Sequence, residues 1–381
     1  MLETKVEKIL KTKEKSNIKK EKTILFSIQN SPSGITLIAL IVTIIVLLIL
    51  AGVTIATLTG NNGILIRAQE AKNKTEESKE DELKKLTALE AATNLENETI
   101  IDNSTGKDVY VTIPAGFAIS QVEGEQTVKD GLVVIDKDGN EFVWIPVDGI
   151  LGENEKTVQN AVDGEIILGR YVFENEGNIN INLTPTSLDG NLKKDSNDSY
   201  YFTESSEGNG NATAVNIENF INSVRTYKGF YVARYEASKG SNNKLEIKYN
   251  KPVWNTITQL DASTACKNLY PTLNSDLMNS YAWDTIMLYI QKYAQNNYSM
   301  QNGKDISDSL KNTGISGDVQ LNIYDLSANC REWTTETCSS SVFPCVRRGG
   351  FYYSDDYTSV RGNLQVTYKE VYNSFRPIIY I

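Results

Sequence analysis

The feature that most constrains this chain is an apolar segment near its N-terminus. Residues 35–58 read ITLIALIVTIIVLLILAGVTIATL, a run of 24 residues without a charged side chain. About 20 apolar residues are enough for a helix to cross the hydrocarbon core of a bilayer. So uniform an apolar cylinder is difficult to bury in a soluble fold, which makes a core helix the weaker interpretation. The segment therefore predicts a single transmembrane helix.

The charges around this segment predict its orientation. Residues 1–34 contain eight lysines and four glutamates, a net charge of +4, which leaves −14 on the rest of a chain whose total is −10. Basic residues beside a membrane helix stay on the cytoplasmic side, so the C-terminal bulk is predicted to be extracytoplasmic, at the cell surface. The acidic remainder also argues against nucleic acid as a partner, because phosphates call for a basic surface.

The chain contains no histidine among its 381 residues. This excludes Ser-His and Cys-His catalytic pairs and imidazole metal sites, and we predict no metal and no cofactor. The four cysteines, Cys266, Cys330, Cys338 and Cys345, lack the paired CxxC spacing of a zinc site. Outside the cell they predict either a disulfide or partly buried thiols, and the sequence leaves both open.

The junction before the apolar run is informative. Ser33-Gly34 is followed by ITLI from Ile35, and the apolar run leads into a polar amphipathic stretch over residues 68–95. A secretory signal peptide would have a shorter apolar run and a small-residue cleavage site. The junction resembles that of type IV prepilins, which implies that a prepilin peptidase cuts after Gly34 and methylates Ile35. By this resemblance residues 1–34 are a leader and residues 35–95 form a pilin-like transmembrane and stalk helix.

One position departs from the prepilin pattern. Pilins usually carry a glutamate at the fifth mature position, where this chain has Ala39. In a filament that carboxylate is thought to form a buried charge pair that helps to set register. Its absence favours a minor, tip-located or membrane-tethered subunit. A minor pseudopilin with a structural role in a type IV pilus or type II secretion filament, with other pilin subunits as partners, is therefore an alternative function.

Beyond residue 97 the sequence predicts an α+β domain. Short β-branched and aromatic runs predict strands over residues 109–113, 132–135, 141–145 and 230–235. Residues 136–140 form either a hairpin turn built on Asp138-Gly139 or, less favoured, a calcium-loop fragment.

Two main helices are predicted. The first spans residues 261–270 with Asp261 as N-cap, and the second spans residues 280–294 with Trp283, Ile286, Met287 and Ile290 on one face. Residues 96–107 are predicted as a linker, and residues 175–216 as long surface loops.

Five segments occur in a recognisable order. They are GNEFVWIPV from Gly139, GFYVARYEAS from Gly229, NIYDLSANCREWTTE from Asn322, RRGGFYY from Arg347 and SFRPIIYI from Ser374. Together they resemble the formylglycine-generating-enzyme superfamily, a variant of the C-type lectin fold, over residues 108–381. The motif residues are interpreted as structural: Trp144, Asn329, Glu332, Trp333, Gly349, Gly350, Phe375 and Arg376. Among them, Arg376 is predicted to bond loop carbonyls or Glu332.

The resemblance does not extend to the superfamily's chemistry. Its oxidising members bind copper through two cysteines that follow the glycine pair, whereas here residues 351–357 read FYYSDDY. Other branches use histidine or tyrosine with iron, and this chain has no histidine. We therefore predict that the chain is not an enzyme, with a divergent formylglycine-generating-type oxidase as the second alternative.

The C-terminal segment, residues 346–381, has the composition of a binding surface. Motifs at RRGG and SFRPIIYI bracket a stretch dense in Tyr, Ser, Asp, Asn and Thr, in which tyrosine supplies contact area at low entropy cost. This layout resembles the variable proteins of diversity-generating retroelements, and the alternative is an ordinary tyrosine-rich loop. The resemblance implies a surface-displayed protein that binds a protein or glycan partner. The predicted ligand-binding residues are Tyr352, Tyr353, Ser354, Asp355, Asp356, Tyr357, Asn363, Gln365, Tyr368 and Tyr372.

Overall fold

A computed structural model describes residues 41–48, 64–185, 192–193, 201–204 and 217–381. Residues 41–48 are helical with exposed side chains, while the rest of the predicted membrane segment 35–58 lies outside the described residues, as do Gly34, Ile35 and Ala39. Within the described ranges no helix combines the length and the apolar character needed to cross a membrane. The membrane helix and the prepilin cleavage thus stay predictions.

The chain divides into two compact units, residues 1–78 and 79–381. Helix α1 (Ile64–Thr93) corresponds to the amphipathic stretch predicted over residues 68–95. Within the second unit its buried positions are Thr87 and Ala91, whereas Leu86 and Leu89 are exposed. The buried positions of this helix thus carry short side chains, and two of its leucines face solvent.

The second unit is α+β. Four further α-helices follow α1 in the described residues: α2 (Val158–Val162), α3 (Ile217–Tyr227), α4 (Gln259–Lys267) and α5 (Ser280–Tyr293). The strands are β1 (Glu98–Asp102), β2 (Val109–Ile113), β3 (Phe117–Ile119), β4 (Val133–Asp136), β5 (Glu141–Pro146), β6 (Gly149–Ile150), β7 (Ile167–Leu168), β8 (Phe173–Glu174), β9 (Asn178–Ile179), β10 (Leu192–Lys193), β11 (Tyr201–Thr203), β12 (Gly229–Ala233), β13 (Ser238–Lys239), β14 (Leu245–Glu246), β15 (Asn274–Leu277), β16 (Val319–Gln320), β17 (Ile323–Tyr324), β18 (Arg331–Cys338), β19 (Cys345–Arg348), β20 (Arg361–Leu364), β21 (Asn373–Phe375) and β22 (Pro377–Tyr380).

The first large sheet has the strand order β15-β22-β12-β5-β4-β3 and is antiparallel throughout the described strands. Successive side chains of a strand point to opposite faces. Accordingly Val143 and Ile145 of β5 join one core cluster, and Phe142 and Trp144 join the other. Because both faces are covered, β5 reads as a continuous apolar run rather than an alternating one.

The two cores are completed by different elements. Helix α5 places Trp283, Ile286 and Met287 in the first cluster, and helix α3 adds Phe220. The second cluster contains Ala262 and Cys266 of α4, together with Trp333 and Phe375 from the second sheet. The first sheet is therefore the layer to which the other elements attach.

The second large sheet positions the C-terminal motifs. Its strand order is β10-β11-β18-β19-β20, with β21 paired in parallel to β18. Strand β18 is thus central and places Glu332 opposite Arg348 of β19 and opposite Ser374 of β21. The three motifs that the sequence analysis singled out near the C-terminus meet on one strand.

Most of the predicted elements are present with shifted ends. The turn at residues 136–140 is the predicted hairpin between β4 and β5, and Asp136 Oδ1 accepts hydrogen bonds from Asp138 N and Asn140 N at 2.9 and 2.7 Å. Helix α4 begins two residues before the predicted start, and its N-cap is Thr258, whose side chain accepts from Asp261 N. The prediction of Asp261 as N-cap was wrong, because a hydroxyl three residues earlier already caps that N–H.

Two regions contain more structure than the sequence indicated. Residues 96–107, predicted as a linker, include β1, which pairs antiparallel with β2 from Glu98 opposite Ile113 to Asp102 opposite Val109. The sequence did not indicate this strand because it is mostly exposed and has an acidic residue at each end. The predicted loop region 175–216 includes β9, β10 and β11, while residues 186–191, 194–200 and 205–216 lie outside the described part of the chain.

Candidate functional site

At the glycine pair, residues 349–350, the backbone of the C-terminal segment passes close to that of residues 326–327. A Cβ at Gly350 would lie 2.3 Å from the carbonyl oxygen of Ser327, and one at Gly349 would lie 2.7 Å from that of Leu326. Gly349 also has a φ of 85°. Only glycine combines this backbone conformation with so close an approach, which supports the structural role predicted for both residues.

The strands before and after the loop are held by buried arginines. Arg348 Nη2 donates to Asp284 Oδ1 at 2.5 Å, and Arg361 donates to Asp284 Oδ2 at 2.5 Å and to Glu336 Oε1 at 2.9 Å. Arg170 also reaches Glu336 Oε1, at 3.0 Å. Burial opposes ionisation of Glu336, but the arginines outweigh it and lower its pKa to about 2. This network clamps β18, β19, β20 and α5 together.

A second buried ion pair joins the third motif to the fifth, through Glu332 and Arg376. Arg376 Nε donates to both carboxylate oxygens of Glu332, at 3.0 and 2.9 Å, and Arg376 Nη2 donates to Tyr324 O at 2.7 Å. Arg376 Nη1 donates to Ala233 O at 3.0 Å. Of the two predicted alternatives, Arg376 bonds Glu332. Its acceptors Ala233 O and Tyr324 O belong to strands, and Arg234 O, at 3.3 Å, directly follows β12.

Asn329 completes this region with a backbone conformation that few residues adopt. Its φ is 67°, in the left-handed region that asparagine tolerates better than most residues. The side-chain amide donates to Glu236, and its oxygen accepts from Lys311 N at 2.9 Å. Ser374 Oγ also donates to Glu236, at 2.9 Å. Burial, followed by the charge of Asp325, raises the pKa of Glu236 well above its ordinary value.

The large aromatic motif residues are core anchors. Trp144, Trp333 and Phe375 are fully buried, and the indole nitrogen of Trp333 donates to Ile257 O at 2.9 Å. They pack in the same cluster between the two sheets. Their burial accounts for the motifs without any reference to a ligand.

The loop over residues 351–357 carries six of the ten predicted ligand-binding residues, and cations hold it in place. Arg331 forms an ion pair with Asp356, donates to Ser354 Oγ at 3.2 Å and lies over the ring of Phe351 at 4.2 Å. Lys304 forms an ion pair with Asp355. Asp355, Asp356 and Ser354, predicted to contact a ligand, are therefore engaged within the protein.

The tyrosines of this region divide into exposed and packed ones. Tyr353 is 79% exposed and Tyr357 is 45% exposed. Tyr352 and Tyr372 are half-buried, and both rings pack against Phe351 with centroid distances of 5.9 and 5.2 Å. Of the tyrosines predicted to bind a ligand, Tyr353 and Tyr357 thus present the most surface to solvent.

The remaining predicted positions lie on or after β20. Asn363 is half-buried on that strand and donates to Phe343 O at 3.3 Å, while Gln365 is exposed. Tyr368 is half-buried, and its ring lies 6.0 Å from the guanidinium of Arg347. The structure therefore spreads these residues around β19 and β20, and it does not gather all ten into one cluster.

Sequence analysis missed the hairpin tip between β18 and β19. Val342 and Phe343 are exposed there, beside Asn363. The sequence feature that could have indicated these exposed residues is the SSSVFP stretch between the two strands. It places apolar residues at a turn, where polar residues are usual.

The cysteines do not form the disulfide that the sequence left open. All four lie in the described part of the chain, none is in a disulfide, and all are buried. Cys338 and Cys345 are close in sequence, but they belong to different clusters on opposite faces of the second sheet. Burial raises the pKa of the Cys345 thiol to about 11. Alternation along the strands thus places these two thiols on opposite faces of the sheet.

A separate cleft of about 460 Å³ lies between residues 159–182 and helix α5. Its lining combines apolar Ile179 and Leu288 with carboxylates such as Glu165 and Glu174. None of the predicted ligand-binding residues lines it. Among the described residues, no cluster of three or more Cys, Asp or Glu side chains is arranged to hold a metal ion.

No protein-family model matches this chain, and no curated protein matches its sequence. Among solved structures, PvdO from Pseudomonas aeruginosa is similar at 10% identity, over 41% of this chain and 82% of that one, with a TM-score of 0.30. The major tropism determinant M1 variant is similar at 9% identity, over 76% and 72% of the two chains, with a TM-score of 0.29. Treponema denticola variable protein 1 is similar at 12% identity, over 75% and 99%, with a TM-score of 0.22. These likenesses are slight, and the α+β architecture rests on the strand pairing described above.

Proposed function

We propose that this chain is a non-catalytic binding protein with a C-type lectin-like domain, and that it recognises a protein partner through its C-terminal face. The observation that carries this proposal is the loop over residues 351–357. Its acidic side chains are held by Arg331 and Lys304, while Tyr353 and Tyr357 extend into solvent. A fixed backbone with exposed tyrosines binds at low entropic cost, because little has to be ordered on association.

A protein is favoured over a glycan because of the apolar side chains around this face. Val342, Phe343 and Val371 are exposed near residues that the sequence assigned to binding. Exposed aromatic and aliphatic groups of this kind are typical of protein interfaces, in which tyrosine and arginine contribute most of the binding energy.

Display outside the cell is part of the same proposal and rests on the sequence. The apolar run 35–58, the lysine-rich residues before it and the Gly34-Ile35 junction support a membrane-anchored, prepilin-like N-terminus. Mass spectrometry of the protein from its native membrane tests this, since cleavage would give an N-methylated Ile35 at the mature terminus. An intact Met1 terminus on the membrane-bound protein would contradict processing.

A more specific part of the proposal is that a retroelement diversifies this face. The tyrosine- and polar-rich stretch between the RRGG and SFRPIIYI motifs supports it. A neighbouring reverse-transcriptase gene with a template repeat matching the codons of residues 346–381 is the expected genomic context. A locus without such a repeat would contradict diversification. It would not bear on the proposal that this face binds a partner.

Site-specific crosslinking tests the binding face itself. A photoreactive phenylalanine analogue at position 353 of the full-length chain should capture the partner on cells, whereas the same analogue at Tyr110, a 55% exposed tyrosine on β2, should not. The captured protein is then titrated with wild type, Tyr353→Ala, Tyr357→Ala and the control Tyr110→Ala.

We expect each face variant to lose about 1 to 3 kcal/mol of binding free energy and the control to lose none. A partner that binds both face variants with wild-type affinity would show that the tyrosines are an ordinary surface loop.

A further inference from the structure

Strand β20 forms one edge of the second large sheet. It pairs with β19 from Arg361 opposite Arg348 to Leu364 opposite Cys345, without a bulge. On its other side no strand of the described residues lies next to it. In an antiparallel ladder every second residue turns its N–H and C=O groups away from the neighbouring strand. The outer edge of β20 therefore carries main-chain donors and acceptors that point away from the sheet.

The outer edge of β20 is not paired with another part of the chain. Among the described residues, no backbone hydrogen bond joins residues 361–364 to any segment other than β19. The edge strand β3 of the first sheet differs, because Asn94 Nδ2 donates to Phe117 O at 2.8 Å and Asn94 O accepts from Gly116 N at 2.7 Å. The residue that follows α1 thus covers the start of β3, whereas the outer edge of β20 stays open to a partner.

The open edge also lacks the residues that usually protect one. Proteins guard exposed sheet edges with proline, lysine or a bulge, but residues 361–365 read RGNLQ. The charged side chain in this stretch, Arg361, turns inward and donates to Asp284 at 2.5 Å and to Glu336 at 2.9 Å. These buried contacts hold β20 in place, so its outer edge is presented by a fixed strand. A fixed strand loses little entropy when a partner binds.

Strand β20 is continuous with the proposed binding face. Asn363 Nδ2 donates to the carbonyl oxygen of Phe343, an exposed aromatic residue at the tip between β18 and β19. Gly362, Asn363 and Leu364 are half-buried, and Gln365 is exposed. Two of these residues, Asn363 and Gln365, were predicted from the sequence to bind a ligand. A segment that lies along β20 would therefore also lie near Phe343.

We infer that the protein partner adds a strand to the outer edge of β20, where an extended segment of the partner pairs with residues 361–364 through main-chain hydrogen bonds. The inference rests on the proposed function and specifies how the partner is held. In this mode the main chain supplies affinity, and alternate side chains of the added strand supply specificity. Those on the side of Asn363 lie near Phe343, where apolar side chains fit.

Amide hydrogen exchange of the full-length protein, resolved to single residues, tests the edge itself. The amides of β20 that bond β19 should exchange slowly, and those between them should exchange at least about a hundredfold faster. Slow exchange of every β20 amide would show that the edge is already covered, by the chain or by a second copy of it. That result would overturn the inference.

The second measurement adds the purified protein that is captured through position 353. It should slow exchange of the outward amides of β20 at least about tenfold, and the amides of β3 should not change, which makes them an internal control. A photoreactive analogue at position 365 should capture the same protein. Unchanged exchange at β20 in the complex would overturn the inference.

Two proline variants form a matched pair, because Asn363→Pro and Leu364→Pro remove N–H groups that point in opposite directions. The variant at the fast-exchanging position should fold and should bind the captured protein at least about tenfold more weakly than alanine at the same position, which keeps the N–H. The variant at the slow-exchanging position should lose stability. Equal affinity of the proline and alanine variants at the fast-exchanging position would overturn the inference.

The tyrosine variants separate this inference from the proposed function. Loss of affinity in Tyr353→Ala and Tyr357→Ala, without a change in exchange at β20, would leave the face in place and remove strand addition. Failure to capture any protein at position 353 or at position 365 would remove both.

Discussion

The C-terminal segment contains two regions that handle charge in opposite ways. Three anchoring arginines, Arg348 of β19, Arg361 of β20 and Arg376 between β21 and β22, are each buried and paired with a carboxylate. The loop over residues 351–357 has its charged groups in surface pairs and turns two tyrosines to solvent. Exposed pairs contribute little to stability, whereas breaking a buried pair is costly. We therefore expect the anchoring arginines to contribute far more to stability than the charged residues of the loop.

Removing an anchoring arginine should give the largest effect. Arg376→Ala leaves the Glu332 carboxylate buried without its cation and leaves the carbonyls of Ala233 and Tyr324 without their donor. We expect the free energy of unfolding to fall by about 3 to 5 kcal/mol, measured by urea denaturation. Arg225→Ala, which breaks the exposed pair with Glu153, should cost at most about 1 kcal/mol. Equal losses in the two variants would erase the contrast between buried and exposed charge.

A pH series should give an effect of intermediate size. Glu204 is buried and accepts hydrogen bonds from Ser280 N at 2.9 Å and Ser280 Oγ at 2.7 Å. Burial, followed by the charge of Glu336, raises its pKa from 4.5 to about 7. The folded protein therefore binds more protons than the unfolded chain between these values. The stability that Glu204 contributes is present below about pH 4.5 and is lost as the pH rises to about 7.

Glu204→Gln cannot titrate, so the difference between the two proteins isolates this group. The free energy of unfolding of wild type relative to Glu204→Gln should fall by roughly 3 kcal/mol between pH 4.5 and pH 8. Denaturation curves at a series of pH values measure it. Parallel pH profiles for the two proteins would mean that Glu204 keeps an ordinary pKa in the fold.

The exposed tyrosines should give the smallest effect on stability. Tyr353→Ala and Tyr357→Ala remove rings that are largely in solvent, and we expect changes within about 0.5 kcal/mol in the free energy of unfolding. Thermal denaturation against wild type measures this. A loss comparable to that of Arg376→Ala would show that the loop supports the fold and is not separable from it.

The sequence predicted the elements whose pattern is long and regular. The apolar face of α5, with Trp283 and Ile290, is buried as its helical spacing indicated. Helix α3 was missed because it follows an Asn- and Ser-rich stretch that reads as loop, although Phe220 and Val224 bury one face of it. Local patterns indicate a helix reliably only when the residues around it do not suggest another structure.

The candidate site was predictable in part. Tyrosine richness indicated a contact surface, and Tyr353 and Tyr357 are exposed. The loop aspartates were interpreted as ligand contacts from the composition of the segment. The structure pairs them with Lys304 and Arg331, which lie elsewhere in the chain. Ion pairs between distant segments follow from strand order, which no local pattern encodes. The same reason hid the difference between Arg347, which is half-buried, and Arg348, which is fully buried and paired with Asp284.

The place of β22 in the first sheet bears on how the chain is made. Strand β15 joins that sheet through β22, so residues 274–277 have no strand partner until residues 377–380 have left the ribosome. The loop over residues 351–357 is synthesised before β22. A polypeptide that stops within this loop would lack β22 and would leave both β15 and one edge of β12 without their partner strand.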